Sequence, residues 1–488
     1  LVGFDTKGEV FKDGDRVLRG IYRGGAGSVR DVLDRCSSKE LFELGIVGTR
    51  ELAEDPVPEL GYELVLEHER IPFVTYPHEW SGAMLQEAAC FHTKLLRDLS
   101  VHGLTLKDWH PYNVLFKGTS PRFVDFTSII ASAELSREPY LAGTPTPRGI
   151  GAFWDADSAA MYGMYRSTFE PYFAYPLEMM RQGRHARART RLYETALNST
   201  GTIMTREEVF EGDPKGSLRY ALRHRLLQLL LSQRGPAKTR FLDAVLRRLR
   251  TIQVAAQGSA YSSYYADKGE DFSTVPSGDW TKKQHGVRNV LTRSRPATVL
   301  DLGCNTGWFS MLAARLGASV VAVDVDEASI DSLYVAARRE GLDILPLAVD
   351  LAAPLPDRYA QEFENEPSLS HIGGDAPLYN AAPARLRCEM VIALAIVHHL
   401  ALGQGLDFGR IASMLSTLAN GSVCVEFVDI SDAMIRAEPS FFPAREAAPH
   451  SFGWYTLDNF VAALRPYFPH VEIQPSHPET RSLVVGSR

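Results

Sequence analysis

The chain has 488 residues, 45% of them hydrophobic and 23% charged, with a formal net charge of −7. That length demands at least two domains, and no apolar run approaches the roughly 20 residues of a membrane span. The acidic balance argues against a general nucleic-acid binder, which neutralises backbone phosphates with a basic face.

The opening "GEVFKDGDRVLRGIY" reads as two short strands joined at Asp13-Gly14, a pair suited to a tight hairpin turn. Helical spacing follows over residues 38–53. Strand-like alternation runs through "YELVLEHERIPFVTYPHEW", and "GAMLQEAACFHTKLLRDLSVHG" returns to a helical period that stops at Gly103. Next comes "LTLKDWHPYNVLF", with Asp108 and Asn113 five positions apart, and then "PRFVDFTS", with Asp125.

Residues 151–257 are mostly helical in pattern. The apolar positions of "SLRYALRHRLLQLLLSQ" are spaced for one buried face, and the run "RQGRHARARTR" is expected to be a solvated helix face. From Pro296 the pattern becomes strand, Gly-rich turn, helix, strand, and it continues so to the end, which predicts a parallel sheet wrapped by helices. The expected division is 1–195, a helical linker over 196–260, and 261–488.

In the last of these, a strand from Thr298 delivers Asp301, and Gly303, Asn305 and Gly307 form a turn into a helix near Trp308. Glycines there let the backbone turn sharply and admit a ligand without a Cβ in its way. The spacing is not GxGxxG, and no Lys-Ser/Thr pair follows to hold a triphosphate. "VVAVDVD" then ends a strand at Asp324, with Asp326 in reserve, where a carboxylate can accept both hydroxyls of a ribose. "DILPLAVDL" ends at Asp350, placed for the exocyclic amine of an adenine, and "EMVIALAIVHHL" ends at His398-His399. Either histidine suits a general base, and Glu426 and Asp429 in "VCVEFVD" stand at the next strand end. Upstream, residues 261–284 gather aromatics with Lys282 and Lys283, expected as a lid over a cofactor.

The set "VLDLGCNTG", "VVAVDVD", "AVD" and "ALAIVHHL" resembles the successive motifs of class I S-adenosylmethionine-dependent methyltransferases. The resemblance implies an α/β Rossmann-like domain in which Asp301, Gly303, Asn305 and Gly307 surround the methionine part of the cofactor. It places Asp324 on the ribose and Asp350 on the adenine edge, with Lys283 as a further cofactor contact.

The first part resembles aminoglycoside-phosphotransferase-like kinases, which implies an α+β kinase-like domain with Asp108 as base and Asn113 and Asp125 as magnesium ligands if it is active on ATP. It departs from them in the weak glycine pair Gly3 and Gly8, and in Arg19 where a phosphate-gripping lysine belongs. Glu40 and Glu43 are both candidates for the ion-pair partner of Arg19. Together the halves resemble a bacterial family of two-part methyltransferases, some associated with sugars of nodulation-type glycolipids. This chain differs from it in Trp109-His110 and in a longer segment over residues 351–388.

The function expected is O-methylation of a hydroxyl on a sugar, glycan or natural-product-like metabolite, with the kinase-like domain as accessory or acceptor-binding module. A bifunctional kinase-methyltransferase and a non-catalytic scaffold remain as alternatives. The five scattered cysteines lack metal or disulfide spacing, and with no signal sequence they suit a cytoplasmic protein. The sequence opens on Leu1, so preceding residues are expected, and it carries no signal of oligomeric state.

Overall fold

A computed structural model of the chain describes residues 7–137, 154–197, 203–232, 236–254, 280–350, 385–447 and 449–488. The chain divides into two compact units, Leu1–Ala256 and Gln257–Arg488. The helical region expected as a linker falls in the first unit as far as residue 256.

The first unit begins with a hairpin of β1 (Gly8–Asp13) and β2 (Arg16–Ile21). Asp13 pairs with Arg16, so the two central turn residues are Gly14 and Asp15, one position later than the sequence suggests, with Gly14 at φ 59°. With β3 (Thr49–Glu51) and β4 (Leu64–His68) they form an antiparallel sheet of order β1-β2-β4-β3. Gly8 belongs to this sheet for a packing reason. A Cβ there would stand 2.3 Å from the Gly20 carbonyl oxygen, so its place reflects strand contact rather than a phosphate cradle. Gly3 lies outside the described residues.

Helix Gly82–Val101 buries one stripe that includes Met84, Leu85, Ala88, Leu95, Leu96 and Leu99. It ends at Gly103, at φ 68°, which turns the chain into β5 (Leu104–Leu106). β6 (Val114–Lys117) and β7 (Ser120–Phe123) form a hairpin, and β8 (Ile129–Ala131) pairs back on β5. Asp108, Asn113 and Asp125 therefore sit in the connections after β5, before β6 and after β7.

Helix Pro214–Leu231 has one buried face, but most of its leucines are not on it. Its buried residues are Tyr220, His224 and Leu231, whereas Leu218, Leu222, Leu226 and Leu229 are exposed. A run this rich in leucine shows helical spacing on two opposite faces, and periodicity alone cannot say which is inside. The basic run, expected as a solvated face, is instead partly buried and paired. Arg187 and Arg191 face Glu208, and Arg181 donates to Glu178 at 2.6 Å.

The second unit is one seven-stranded sheet of order β11-β10-β9-β12-β13-β15-β14. Its strands are β9 (Thr298–Leu302), β10 (Ser319–Asp324), β11 (Ile344–Ala348), β12 (Cys388–Ala393), β13 (Ala419–Val428), β14 (His470–Pro475) and β15 (Arg481–Ser487). β9 to β13 are mutually parallel, and β15 is inserted antiparallel between β13 and β14. The parallel strands are nearly continuous in Val, Ile, Leu and Ala because helices cover both their faces. Val299, Val320, Ile344, Met390 and Ile392 join Trp308, Leu312, Ile330 and Leu333 in one core. From β9 the chain builds outward through β10 to β11, then crosses to the other side of β9 for β12. That reversal opens a crevice at the carboxyl ends of β9 and β12, where open α/β sheets bind ligands.

Candidate functional site: the switch-point crevice

The turn after β9 is shaped by three positive-φ residues, Gly303 at 67°, Asn305 at 52° and Gly307 at 84°. The backbone N–H groups of Gly303 and Cys304 both donate to the Val323 carbonyl, at 2.9 and 3.1 Å, which clamps the turn to β10. A Cβ on Gly303 would come within 2.7 Å of Ile396 Cδ1, in the connection after β12. The turn thus closes against the facing loop with only backbone at that point. A Cβ on Gly307 would stand 2.4 Å from Leu333 Cδ1, in the core. The two glycines have different reasons: Gly303 lets the turn close against Ile396 of the facing loop, and Gly307 seats the helix Trp308–Arg315 on its neighbour Glu327–Glu340.

Asp324, at the end of β10, holds the turn with its carboxylate. Oδ2 accepts the Asn305 N–H at 2.8 Å, and Oδ1 accepts the Asp326 N–H at 2.9 Å. Burial raises its pKa, and these backbone donors oppose the rise. Each oxygen of a carboxylate can accept more than one donor, so the group can still receive a diol. Asp301 is deeper. It accepts Ser310 Oγ at 2.6 Å, and burial pushes its carboxyl up to about 6. Asp350 lies just past β11 and is exposed.

β12 ends at Ala393, short of the histidines, which sit at the start of a wide helical turn, His399–Gly403. Their rings are 4.2 Å apart. His398 is fully buried with neither ring nitrogen hydrogen-bonded, while His399 is half-buried, its ring stacked 5.4 Å from Phe442. Burial lowers both pKa values, so both rings are neutral near pH 7, the form a general base needs. Lys283 donates to Glu426 Oε2 at 2.8 Å and lies 5.4 Å from the Phe309 ring. Glu426 is fully buried, accepts Ser476 Oγ at 2.6 Å and faces Arg481 at 3.8 Å. Arg481 also binds Asp432 at 2.9 Å. Burial raises the Asp432 pKa, but the hydrogen bonds from Arg481 and Thr480 outweigh it and hold the group at about 2. Asp429 accepts the Ser431 N–H at 2.8 Å. Glu426 and Asp429, read from the sequence as candidates for orienting a hydroxyl, are thus tied into the protein's own hydrogen bonding.

A family model, tellurite resistance protein TehB, matches residues 267–360. Nodulation protein NoeA of Rhizobium meliloti is 25% identical over 441 residues, which is 88% of this chain and 85% of that one. The ribosomal protein L11 methyltransferase of Thermotoga maritima is 47% identical over 55 residues, 11% of this chain and 21% of that protein. This chain is an S-adenosylmethionine-dependent methyltransferase. Its methyltransferase domain is of class I, and it lies in the second unit. Among solved structures, the bifunctional kinase-methyltransferase WbdD is 18% identical with a TM-score of 0.27, the match covering 42% of this chain and 38% of that one. A superposition that loose carries no conclusion about this methyltransferase.

The first unit of the methyltransferase gathers its own polar cluster. The Arg19 guanidinium lies 3.0 Å from Asp125 Oδ1 and donates to Thr127 Oγ1 at 2.7 Å. Asp125 further accepts Thr127 Oγ1 at 3.0 Å, Asn113 Nδ2 at 3.4 Å and the Ser128 hydroxyl, which also donates to Asp108 at 3.1 Å. Burial raises the Asp125 pKa, and the Arg19 charge with the Ser128 and Thr127 hydrogen bonds more than offsets it, leaving the group below its ordinary value. The glutamates named as partners of Arg19 are engaged elsewhere. Glu40 closes a capping box on Ser37, and exposed Glu43 stands 4.0 Å from Lys39. Trp109, where the sequence departs from the two-part family it resembles, is core: its buried indole donates to the Leu106 carbonyl at 2.8 Å.

Two features escaped the sequence reading. Arg19 pairing with Asp125 joins residues 106 positions apart and leaves no local signal. The Lys283–Glu426 pair did leave one, since a glutamate inside "VCVEFV" on a buried strand requires a cation. The expected lid over residues 261–279 and the segment 351–384 lie outside the described residues, and Trp280 packs its ring 5.1 Å from Trp308.

Proposed function

We propose that the second unit methylates a hydroxyl of a sugar, glycan or natural-product-like metabolite. The observation that carries this reading is the switch-point turn, bent by Gly303 at positive φ and tied by Asn305 N–H to the Asp324 carboxylate. A nucleoside with an amino-acid tail fits that donor set: Asp324 for the ribose diol, Asp350 for the adenine amine, and the turn with buried Asp301 for the tail. Lys283, already shared with Glu426, is the cation available to the tail's carboxylate. The bound cofactor would supply an electrophilic methyl at its sulfonium.

What remains for the protein is alignment of the acceptor and removal of its proton. His399 is the group assigned to that proton. It is neutral and half-exposed, whereas His398 packs fully inside beside it. The likeness to nodulation protein NoeA across most of both chains supports the nodulation-type family resemblance from which a sugar acceptor is read. The test is transfer from methyl-labelled S-adenosylmethionine to a panel of sugar nucleotides and glycolipids. Label in a base-stable ether supports the reading, and label found only in a base-labile ester or on an amine overturns it.

The first unit is read as kinase-like in fold and accessory in role. Arg19 neutralises Asp125, the carboxylate that a magnesium ion would need. A bifunctional reading is favoured by one fact, that Asp108, Asn113 and Asp125 do converge on a common hydrogen-bond cluster. Magnesium-dependent ATP consumption abolished by Asp108→Ala would establish it, and absence of nucleotide binding would remove it.

A further inference from the structure

Helix Pro214–Leu231 presents an aligned stripe of exposed leucines. Leu218, Leu222, Leu226 and Leu229 are 61%, 59%, 62% and 44% exposed. At 100° per residue these four side chains fall within an arc of roughly 80°. The buried residues Tyr220, His224 and Leu231 lie opposite that arc, so the helix is amphipathic twice over: one face is sunk in the unit and the other presents leucine outward. Single exposed leucines are ordinary, but an aligned row is not.

The charges around the row decide what can cover it. Lys215, Arg219, Arg223 and Arg225 are all exposed, and the helix contains no Asp or Glu. By the same angular spacing, Arg219 and Arg223 flank one side of the row, Arg225 borders the other, and Lys215 stands at its N-terminal end. Asp213 is committed to capping, accepting the Gly216 N–H at 2.8 Å. Glu178, a carboxylate that acts on Arg223 from within the unit, is buried and already bound by Arg181 and Arg248. Leucines rimmed by cations, with no ion pair to those cations among the described residues, match an anionic bilayer surface, where apolar side chains enter the headgroup boundary and the cations meet lipid phosphates. A second copy of the same helix fits poorly. It would bring two sets of four cations together over a few hundred Å² of leucine, short of the roughly 800 Å² per partner of a stable interface.

We propose that this helix docks the protein peripherally on membranes carrying anionic lipid. The apolar row enters the interface while Lys215, Arg219, Arg223 and Arg225 bind headgroup phosphates. No helix among the described residues is long and apolar enough to cross a membrane, so attachment by this face is reversible and salt-sensitive. The inference is independent of the methyl-transfer reading.

The test is flotation of the full chain with phosphatidylcholine vesicles, with and without phosphatidylglycerol. Binding is expected only to the anionic vesicles and is expected to weaken with salt. Each arginine near such a surface strengthens binding about fivefold, so Arg219→Gln with Arg223→Gln should lower partitioning about thirtyfold. Leu222→Ser with Leu226→Ser should lower it at least about tenfold. Circular dichroism and S-adenosylhomocysteine affinity report on folding, and the arginine variant, confined to exposed polar side chains, keeps the test open if the leucine variant misfolds. Three outcomes would overturn the proposal: no flotation with anionic vesicles, equal flotation with neutral ones, or a concentration-dependent dimer that the leucine substitutions dissolve.

Discussion

Replacing Arg19 with Met isolates what the first unit's polar cluster does. The substitution keeps most of the side-chain length but removes a guanidinium that stands 3.0 Å from Asp125 Oδ1 and donates to Thr127 at 2.7 Å. Breaking a buried ion pair from one side costs about 3–5 kcal/mol, because the remaining charge stays desolvated. Asp125 keeps its hydrogen bonds from Thr127, Ser128 and Asn113, and its side chain is 19% exposed, which sets the expectation near about 3 kcal/mol. Adding Asp125→Asn to Arg19→Met removes the stranded charge and should recover at least about 1 kcal/mol of that loss.

The pH dependence gives a second handle. The Asp125 pKa is depressed in the folded chain, so its contribution is present above the unfolded value of about 3.9 and is lost as pH falls through the folded value. Without Arg19 the depression shrinks, and the stability gap between the native chain and Arg19→Met should narrow below about pH 4. Denaturant-dependent hydrogen exchange, read on peptides of the first unit, measures both effects. A loss under about 1 kcal/mol at neutral pH, or a gap that stays constant into acid, would refute the pairing as the cluster's organising contact.

Three further expectations concern the second unit. Gly307→Ala forces a Cβ at φ 84° to within 2.4 Å of buried Leu333, and should destabilise the unit by about 2–5 kcal/mol in thermal unfolding; a change under about 0.5 kcal/mol would contradict the packing role. Asp301 titrates near 6 because burial disfavours its charged form. Its raised folded pKa means that the contribution is fully present below the unfolded value near 3.9 and is lost, by about 3 kcal/mol, as pH rises through about 6. The stability difference between the native chain and Asp301→Asn should change across that window, and a flat difference would argue that Asp301 is ionised without penalty. His399→Ala should slow methyl transfer by about a hundredfold or more with unchanged S-adenosylhomocysteine affinity, and an equal effect from His398→Ala alone would reassign the base.

The second unit was largely legible in advance. Short-range motifs such as "VLDLGCNTG" encode a strand, a turn with enforced positive φ and a helix start within a dozen residues, so pattern and geometry coincide. The strand ends that meet at the crevice follow from the alternation of elements. Contacts that cross the sheet were harder to read. Lys283 reaches Glu426 through tertiary packing that no local period records. In the leucine-rich helix Pro214–Leu231 a buried face could be expected but not placed, since two apolar faces share one period and only the neighbours decide which is covered. In the first unit the Asp108, Asn113 and Asp125 spacing located the cluster, but the distant Arg19, paired with Asp125, decides how the cluster is wired.

The central claim is that the turn after β9 with Asp324 forms the cofactor site, and calorimetric titration of the full chain with S-adenosylhomocysteine tests it most directly. One site per chain is expected, and Asp324→Asn, which loses the carboxylate's charge-assisted hydrogen bonds, should weaken binding about ten- to hundredfold. Absence of binding at about 1 mM ligand, or an Asp324→Asn variant that binds as tightly as the native chain, would contradict the account.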